Sequence, residues 1–343
     1  PSVKTGRVYL ALVAILLTVF LVVGCGGGTP QTTPPDDKGR TGKQESTAST
    51  LPKILNVATN PVGSMFNNIG SGIAAILGKY LPLEAKVTPV SGHSVWLPMV
   101  ATKEVDMAII NSYDAELAYM GKGEYEKVLG GKGADIVLLT SGAPGMNGCV
   151  VAEDSGIRKG KDLKGKRYAG IYANSTGVTA QAQAFLANQG LTEKDVKMIT
   201  VPGVTQAVQA IMDGRVDAAG SVLVGVGTTA ELDASRGARF LSYDPSPEAV
   251  KRMQQVYPYG YIIEVHPGPK MVGIKEDPTY LMGWDIYLIG RGTLDDEVAY
   301  QIVKTLWEHD VEMGPIHPAL KDWTKDKYVT PRASIPYHPG AIK

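Results

Sequence analysis

Cysteine is scarce in this sequence, and its scarcity excludes one way of stabilising a fold. The chain of 343 residues holds two cysteines, Cys25 and Cys149, in unrelated contexts. Cys149 lies in the apolar stretch 148–152 with no histidine beside it, so we expect a buried, unreactive thiol. No disulfide framework is therefore expected to support the fold.

An excess of charge of one sign is also missing. Lys and Arg together number 34, and Asp and Glu together number 34. Basic residues do not alternate with aromatic residues anywhere along the chain. A nucleic-acid-binding surface needs a basic excess to neutralise phosphates. We expect no nucleic-acid partner.

Common motifs of metal and nucleophile chemistry are absent from the sequence. The five histidines are scattered and show no His-Glu-x-x-His spacing, and neither Cys-x-x-Cys nor Gly-x-Ser-x-Gly occurs. Residues 160–167 nearly match the phosphate-binding loop motif. However, Arg167 replaces the hydroxyl residue of the motif, and the stretch precedes a predicted strand instead of following one. We expect a basic turn at these residues. For the protein as a whole, we expect no metal site, no cofactor and no catalytic residue.

What the sequence does contain is a duplicated pattern. Residues 55–112 recur, with the same internal spacing, as residues 166–223. One offset of 111 positions relates the matched residues, among them Ser64 and Ser175, Gly92 and Gly203, and Val105 and Val216. A generic alternation of helices and strands has little reason to keep one offset, so the pattern predicts an internal duplication.

Each copy reads as an open α/β unit. A short apolar strand, 54–58 or 167–171, is followed by small polar residues, 60–64 or 174–177, and then by a helical pattern. Ser, Thr and Asn can cap the next helix, whose free N–H groups and dipole favour an anion. Because α/β units bind ligands at the carboxyl ends of their strands, two units would place these polar residues on opposite walls of one cleft.

Four acidic residues raise an acid–base alternative. They are Glu104, Asp106, Asp213 and Asp217. They occupy repeated places between a helix and a strand, where carboxylates commonly serve turns and caps. We therefore interpret them as structural residues.

The N-terminal region predicts export and a lipid anchor. Cys25 closes the apolar stretch 8–24, which follows Lys4 and Arg7, and this layout resembles a bacterial lipobox. On this interpretation residues 1–25 form a lipoprotein signal peptide, and Cys25 carries the lipid. An uncleaved transmembrane anchor is the alternative, because about 17 apolar residues lie at the short end of what spans a bilayer. Residues 26–52, rich in Gly, Thr, Ser and Pro, predict a flexible tether.

The remainder, residues 53–343, resembles a known family. It is similar to the solute-binding proteins of tripartite ATP-independent periplasmic (TRAP) transporters, specifically the TAXI subgroup. The motifs that carry the resemblance are Gly63-Ser64 and the stretches 91–111, 162–167, 214–218, 294–300 and 335–341. The sequence departs from the family pattern at residues 65–68 and at Trp96, which leaves the family's usual ligand in question.

The resemblance implies an α/β, two-lobed fold of the periplasmic-binding-protein type II kind, with the ligand in the cleft between the lobes. Together with the duplication it predicts lobe I over 53–148 plus 283–343 and lobe II over 149–282. Two crossing strands, around 149–152 and 285–289, would form the hinge.

The resemblance also implies a function. An extracytoplasmic receptor would bind a small organic anion, such as glutamate, glutamine or a related carboxylate, and deliver it to TRAP membrane subunits, which can be fused. We expect a lipid-anchored monomer on the periplasmic or extracellular side of the cell membrane.

Polar residues at the ends of the duplicated strands are the candidate ligand contacts. They offer hydroxyls, amides and backbone N–H groups without any arginine, and they are Gly63, Ser64, Met65, Phe66, Ser91, His93, Asn111, Asn174, Ser175, Thr176, Gly177 and Ser221. Simpler roles exist for some of them. Ser64 and Thr176 fit helix capping as well, His93 fits an ordinary loop, and Trp96 fits either the core or a stacked ligand.

Two alternative functions remain open from the sequence. An enzyme on the same scaffold would need a reactive Cys or a set of His and Lys in the cleft, and Cys149 is the candidate. A ligand sensor for a signalling receptor would have the same sequence features as a transport receptor. The stripe of Tyr257, Tyr259 and Tyr261 fits either a strand surface or a lid over the cleft.

Overall fold

One mixed sheet of ten strands carries both predicted copies. The computed structural model describes residues 51–173, 175–317 and 320–343. The predicted signal peptide with Cys25, nearly all of the predicted tether, and Asn174 lie outside these ranges. The strands are Ile54–Thr59 (β1), Glu84–Pro89 (β2), Met107–Asn111 (β3), Ile136–Ala152 (β4), Arg167–Tyr172 (β5), Lys197–Val201 (β6), Ala218–Leu223 (β7), Ala238–Leu241 (β8), Tyr261–Val265 (β9) and Thr279–Arg291 (β10).

Helices connect these strands and cover the sheet. They are Met65–Tyr80 (α1), His93–Ala101 (α2), Ser112–Met120 (α3), Tyr125–Val128 (α4), Thr176–Asn188 (α5), Val204–Met212 (α6), Gly227–Arg236 (α7), Pro247–Val256 (α8), Asp296–Glu308 (α9), Met313–Ile316 (α10) and Pro339–Ile342 (α11). Within these parts of the chain, no helix has the length and apolar character needed to cross a bilayer.

The order of strands shows the duplication directly. Along the sheet the order is β2-β1-β3-β10-β4-β7-β5-β6, with β8 beside β4 and β9 beside β10. Strand β1 is parallel to β2 and β3, and strand β5 is parallel to β6 and β7. The two triplets therefore match strand for strand. We call the elements β1 to α4 the first wall and the elements β5 to α7 the second wall.

Helix α1 illustrates how the sequence produces the first wall. Ile69, Ile73, Ile76 and Leu77 recur at helical spacing and are almost fully buried. The helix begins at Ser64, whose side chain accepts a hydrogen bond from the N–H of Asn67 at 3.1 Å. The apolar stripe thus packs on the sheet while the capped end points away from the core.

Helix α2 covers the opposite face of the first-wall strands. Its Trp96 is fully buried and packs with Leu97, Val100 and Tyr125. Of the two roles considered for Trp96, the structure therefore supports the core role.

Strands β4 and β10 join the two walls. They pair antiparallel from Arg291 opposite Ile136 to Met282 opposite Asn147. Strand β10 also pairs with β3 of the first wall, and β4 pairs with β7 of the second wall. Both expected crossing strands are thus present, and both are longer than the sequence predicted. The proposed lobe boundaries at 148/149 and 282/283 fall inside them.

Cys149 lies in β4 and is fully buried. Burial raises the pKa of its thiol far above the ordinary value, because a thiolate would be desolvated there. The expected burial of this cysteine is confirmed, and its lack of reactivity stays a prediction.

Candidate functional site

A cleft of about 800 Å³ separates the first wall from the second wall. Nine of the predicted contacts line it: Ser64, Met65, Phe66, Ser91, His93, Asn111, Ser175, Gly177 and Ser221. Gly63 and Thr176 are not among the lining residues. The two copies of the pattern thus bring their equivalent polar residues to one cavity, although the roles of these residues in binding stay predictions.

The cleft receives the N-termini of six helices, α1, α2, α3, α5, α6 and α7, as judged by the lining residues in their caps and first turns. The first N–H groups of a helix lack partners within it, and the helix dipole adds positive potential there. Helices α2, α6 and α7 begin without a side-chain cap. The backbone therefore makes this cleft favourable for an anion.

Asp114, in the first turn of α3, is the buried charged side chain of the cleft. Only 5% of its surface is exposed. Oδ2 accepts a hydrogen bond from Asn111 Nδ2 at 2.6 Å and lies 3.2 Å from His93 Nδ1. Burial alone would raise the pKa of this carboxyl, but the hydrogen bonds and electrostatic interaction with His93, and the hydrogen bond with Asn111, hold the pKa below its ordinary value. Asp114 is therefore ionised at neutral pH.

A second polar network lies on the floor of the cleft. Asn147 Nδ2 donates to Gln181 Oε1 at 2.7 Å, Ser221 Oγ donates to the same oxygen at 2.6 Å, and Gln181 Nε2 donates to Tyr257 Oη at 3.2 Å. Ser221 has a φ of 59°, a left-handed conformation that residues other than glycine rarely adopt. Strained residues of this kind concentrate at ligand sites, where the surrounding contacts hold them.

The two walls touch each other beside the cleft. Thr176 Oγ1 donates to Glu124 Oε2 at 2.8 Å, which joins the second wall to the first. The ring of Tyr113, in the first wall, also stacks with that of Tyr257, which follows α8 outside the second wall, at 4.8 Å between centroids. Thr176, at the start of α5, is thus bonded to a carboxylate of the protein itself.

Tyr257, Tyr259 and Tyr261 do not act as one surface. Tyr257 is fully buried, whereas Tyr259 donates a hydrogen bond to Glu116 at 2.6 Å, and Tyr261 donates to Asp285 at 2.8 Å. Their partners differ because β9 begins within the stripe, so that each ring points to a different part of the molecule.

The charges around the cleft are unbalanced. Three carboxylates line it, those of Asp114, Glu124 and Glu231, and His93 is the basic side chain that faces them. Among the described lining residues there is neither Lys nor Arg. The absence of an arginine expected from the sequence thus holds for the cleft. The positive potential comes from backbone and the negative charge from side chains.

Several side-chain atoms of the lining residues are buried without a hydrogen-bond partner in the described structure. They are Asn60 Oδ1, His93 Nε2, Asp114 Oδ1, Asn147 Oδ1 and Trp284 Nε1. Buried polar atoms in proteins are almost always bonded, so a concentration of unbonded ones marks a place that awaits a partner. Phe66 contributes apolar cover beside them, since its ring lies 5.7 Å from that of His93 and 6.4 Å from that of Trp284.

Among the residues of the site that sequence reasoning missed are Asp114, Asn147, Gln181 and Trp284. Asp114 follows the predicted Asn111 by one helical turn, so its position after a strand end was a usable signal. Asn147 and Trp284 lie inside the long crossing strands, which do not take part in the duplication.

The described side chains give no support for metal binding. Within residues 51–173, 175–317 and 320–343, no group of three or more His, Cys, Asp or Glu side chains is arranged to hold a metal ion.

Comparisons with known proteins place the fold. PhnD1 from Prochlorococcus marinus, solved in complex with methylphosphonate, is similar with a TM-score of 0.52 and 13% identity, covering 81% of this chain and 95% of that chain. A structure described as a periplasmic transporter has a TM-score of 0.52 and 12% identity, covering 80% of this chain and 89% of that chain. These likenesses concern the fold, which is an α/β, two-lobed solute-binding fold, as the resemblance predicted.

Sequence comparison is more specific about ancestry. No curated protein matches the sequence. The model of the NMT1-like family matches residues 57–343, which include both walls and the crossing strands. The chain belongs to the NMT1-like family.

Proposed function

We propose that the protein is an extracytoplasmic receptor that binds a small organic anion, glutamate, glutamine or a related carboxylate, in the cleft. The observation that carries this proposal is the convergence of six helix N-termini on a cavity of about 800 Å³. Such a volume is typical of small-molecule sites. Backbone N–H groups would hold the anionic end of the solute in place of the missing arginine.

The affinity that such a site can reach is sufficient for a receptor. A hydrogen bond to a charged acceptor contributes about 1.5 to 3 kcal/mol. Four or five of them, after the costs of association, correspond to micromolar binding at about 8 kcal/mol. The helices without a side-chain cap, α2, α6 and α7, and the start of α1 at Met65 and Phe66 are the donors we assign to the anion. The start of α5 contributes less, because Glu124 already accepts from Thr176.

The cellular role follows from the motif resemblance and from family membership together. We propose that the receptor is of the TAXI type, that Cys25 carries a lipid anchor at the outer face of the cell membrane, and that a monomer delivers its solute to TRAP membrane subunits. Finding genes for such subunits beside this one would support transport over a signalling role. Replacement of Cys25 by Ser should release the protein from the membrane fraction, whereas retention would contradict the lipid anchor.

Opening and closing would occur at the crossing strands. We propose lobe I over 53–148 plus 283–343 and lobe II over 149–282, with the hinge inside β4 and β10. The pairing of these strands has register shifts between Asp285 and Tyr287 and between Leu288 and Ile289. Irregularities of this kind let a strand bend.

An enzymatic role on this scaffold has less support. Cys149, the nucleophile that the enzyme alternative requires, is fully buried and is not among the residues that line the cleft. Burial raises the pKa of its thiol, which disfavours the thiolate that catalysis needs.

Thermal-shift measurements test the receptor function. The panel consists of glutamate, glutamine, dicarboxylates, methylphosphonate and neutral sugars. A ligand present at 100 times its dissociation constant adds about 2.7 kcal/mol of stability, which raises the melting temperature measurably. We expect carboxylates to raise it. A rise with the sugars but with none of the anions would contradict an anion receptor.

A further inference from the structure

For Asp114 Oδ1, the kind of hydrogen-bond partner that is missing can be named without ambiguity. It is buried and has no hydrogen-bond partner in the described structure, while Oδ2 already interacts with Asn111 and His93. An asparagine can present either an oxygen or an N–H, but an ionised carboxylate oxygen can only accept. Whatever meets Oδ1 must donate a hydrogen bond.

Among the described side chains none is hydrogen-bonded to this oxygen, although the Tyr125 hydroxyl also interacts with the Asp114 carboxyl. On the second wall, Gly177 lies close to it, and an added Cβ there would be 3.2 Å from Oδ1. Glycine offers no side-chain donor, and the described lining includes neither Lys nor Arg. When the walls meet without a solute, the cleft therefore buries a charged oxygen without a partner, which is costly. A solute that brings the donor removes this cost.

We propose that Asp114 forms a subsite for a protonated amine of the solute, so that the receptor selects amino acids over carboxylic acids of the same shape. This inference rests on the proposed function and makes its ligand class narrower. A cationic donor is favoured over a hydroxyl because hydrogen bonds between opposite charges are about twice as strong as neutral ones. The two remaining carboxylates of the lining, on Glu124 and Glu231, favour a cation as well.

The geometry separates the two ends of such a solute. Its ammonium group would reach Asp114 from the open part of the cleft, since the space between Asp114 and Gly177 is too narrow even for an added Cβ. Its carboxylate would face the uncapped starts of α2, α6 and α7. Trp284 Nε1, which is buried without a partner, is a further donor for the anionic end. The positive end of the solute would thus meet the negative charge of Asp114, and its negative end would meet the positive potential of the helix N-termini.

Matched ligands test the subsite on the unaltered protein. Calorimetry would compare L-glutamate with 2-oxoglutarate, 2-hydroxyglutarate and glutarate, and L-glutamine with its deaminated analogue. Amines without a carboxylate, such as putrescine and ethanolamine, complete the set. We expect the amino acid to bind about 10- to 100-fold more tightly than its partner without the amine, from one charge-assisted hydrogen bond.

Two variants locate the effect. Asp114→Asn should remove the preference for the amine and leave the affinity for glutarate unchanged or higher. Asp213→Asn removes the same charge from a surface position that does not line the cleft and should keep the preference. Circular dichroism would establish that each variant folds.

Each outcome decides the proposal. If 2-oxoglutarate, 2-hydroxyglutarate or glutarate binds as tightly as glutamate, or only methylphosphonate binds, the amine subsite is wrong and the anion receptor stands. If putrescine or ethanolamine binds through Asp114 while carboxylates do not, the subsite stands and the anion receptor is wrong. Equal loss of preference in both variants, or no binding by any amine, also overturns the subsite.

Discussion

The Asp114 carboxylate and the Gly177 backbone face each other across the cleft. A Cβ added to Gly177 would lie 3.2 Å from Oδ1 and 3.3 Å from Oδ2 of Asp114. Contacts this short require the neighbour to shift, and Asp114 is held by its hydrogen bond with Asn111. The walls can therefore approach this closely because residue 177 has no side chain.

Gly177→Ala should weaken ligand binding without unfolding the protein. The new methyl group would push Asp114 and keep the walls slightly apart, at a cost of about 1 kcal/mol, or about fivefold in affinity. Calorimetry with the best ligand of the panel measures this change. Gly78→Ala is the control. Gly78 is an exposed residue of α1 that does not line the cleft, and a Cβ added there would make only an ordinary contact. Unchanged affinity in Gly177→Ala would show that the walls do not close at this point.

Ser64 variants separate helix capping from ligand binding. Ser64→Ala removes the acceptor for the Asn67 N–H and should lower stability by about 1 kcal/mol. Ser64→Asp keeps a capping oxygen, so its stability should stay near that of the unaltered protein. The added charge at the cleft should nevertheless weaken binding of a carboxylate at least about tenfold.

Ser64→Thr, which keeps both the hydroxyl and the neutral charge, should retain both properties. Denaturation curves and binding isotherms on the three variants give the comparison. Tight carboxylate binding by Ser64→Asp would place the anion away from α1.

Asp106 and Asp217 hold equivalent places in the two copies, and the copies use them alike. Asp106 accepts from the N–H of Asn56 at 2.9 Å, and Asp217 accepts from the N–H of Arg167 at 2.8 Å. Both bonds tie the first strand of a copy to the turn before its third strand. The structural interpretation of these carboxylates is therefore confirmed.

Acid should weaken the Asp217 contact. The hydrogen bond from the Arg167 guanidinium outweighs the effect of partial burial and lowers the pKa of Asp217 below its ordinary value. A lowered folded-state pKa means that the contact stabilises the fold above the ordinary Asp value, and that this contribution is lost as pH falls through the folded-state pKa. Asp217→Asn should thus be less stable by about 1 kcal/mol at pH 7, with little difference below both pKa values.

Urea denaturation at pH 7, and at a pH below both pKa values of Asp217, measures the difference in the free energy of unfolding between the variant and the unaltered protein. Asp213→Asn is the control, because Asp213 pairs on the surface with Arg215 two residues away and should show a smaller effect. A constant difference for Asp217→Asn at both pH values would contradict the assigned linkage.

Cys149 should not take part in ligand binding or catalysis. In a Cys25→Ser background, Cys149 should react with a thiol reagent only on unfolding, because it is fully buried and its thiol has a raised pKa. Cys149→Ala should lose about 1 kcal/mol of stability from poorer packing and keep its ligand affinity. Rapid labelling of the native protein, or lost affinity with an intact fold, would revive the enzyme alternative.

The sequence contains much of this architecture because the duplication repeats local signals. Ser64 and Ser175 are both helix caps, and both line the cleft, as one offset and one capping rule predict. The sequence also contains the pattern of helix α9, because Val298, Ile302 and Leu306 recur at helical spacing, and all three are buried in the structure.

Other features depend on distant contacts that no local pattern reports. Asn147 becomes part of the site because β4 places it beside Gln181 and Ser221, 34 and 74 positions away. Asp114 can be buried and charged because α2 brings His93 to it. Thr176 has the composition of a ligand contact, but α4 supplies Glu124 as its partner.

The paired strands β4 and β10 have a mechanical consequence. A β-strand is already close to the greatest length its backbone allows, so it scarcely stretches, whereas it twists and bends readily. We therefore expect any relative movement of the walls to be a rotation about this two-stranded ribbon. Occupancy of the cleft would be transmitted to the outer surface as an angle, and a membrane partner that recognises that angle could distinguish a loaded receptor from an empty one without touching the solute.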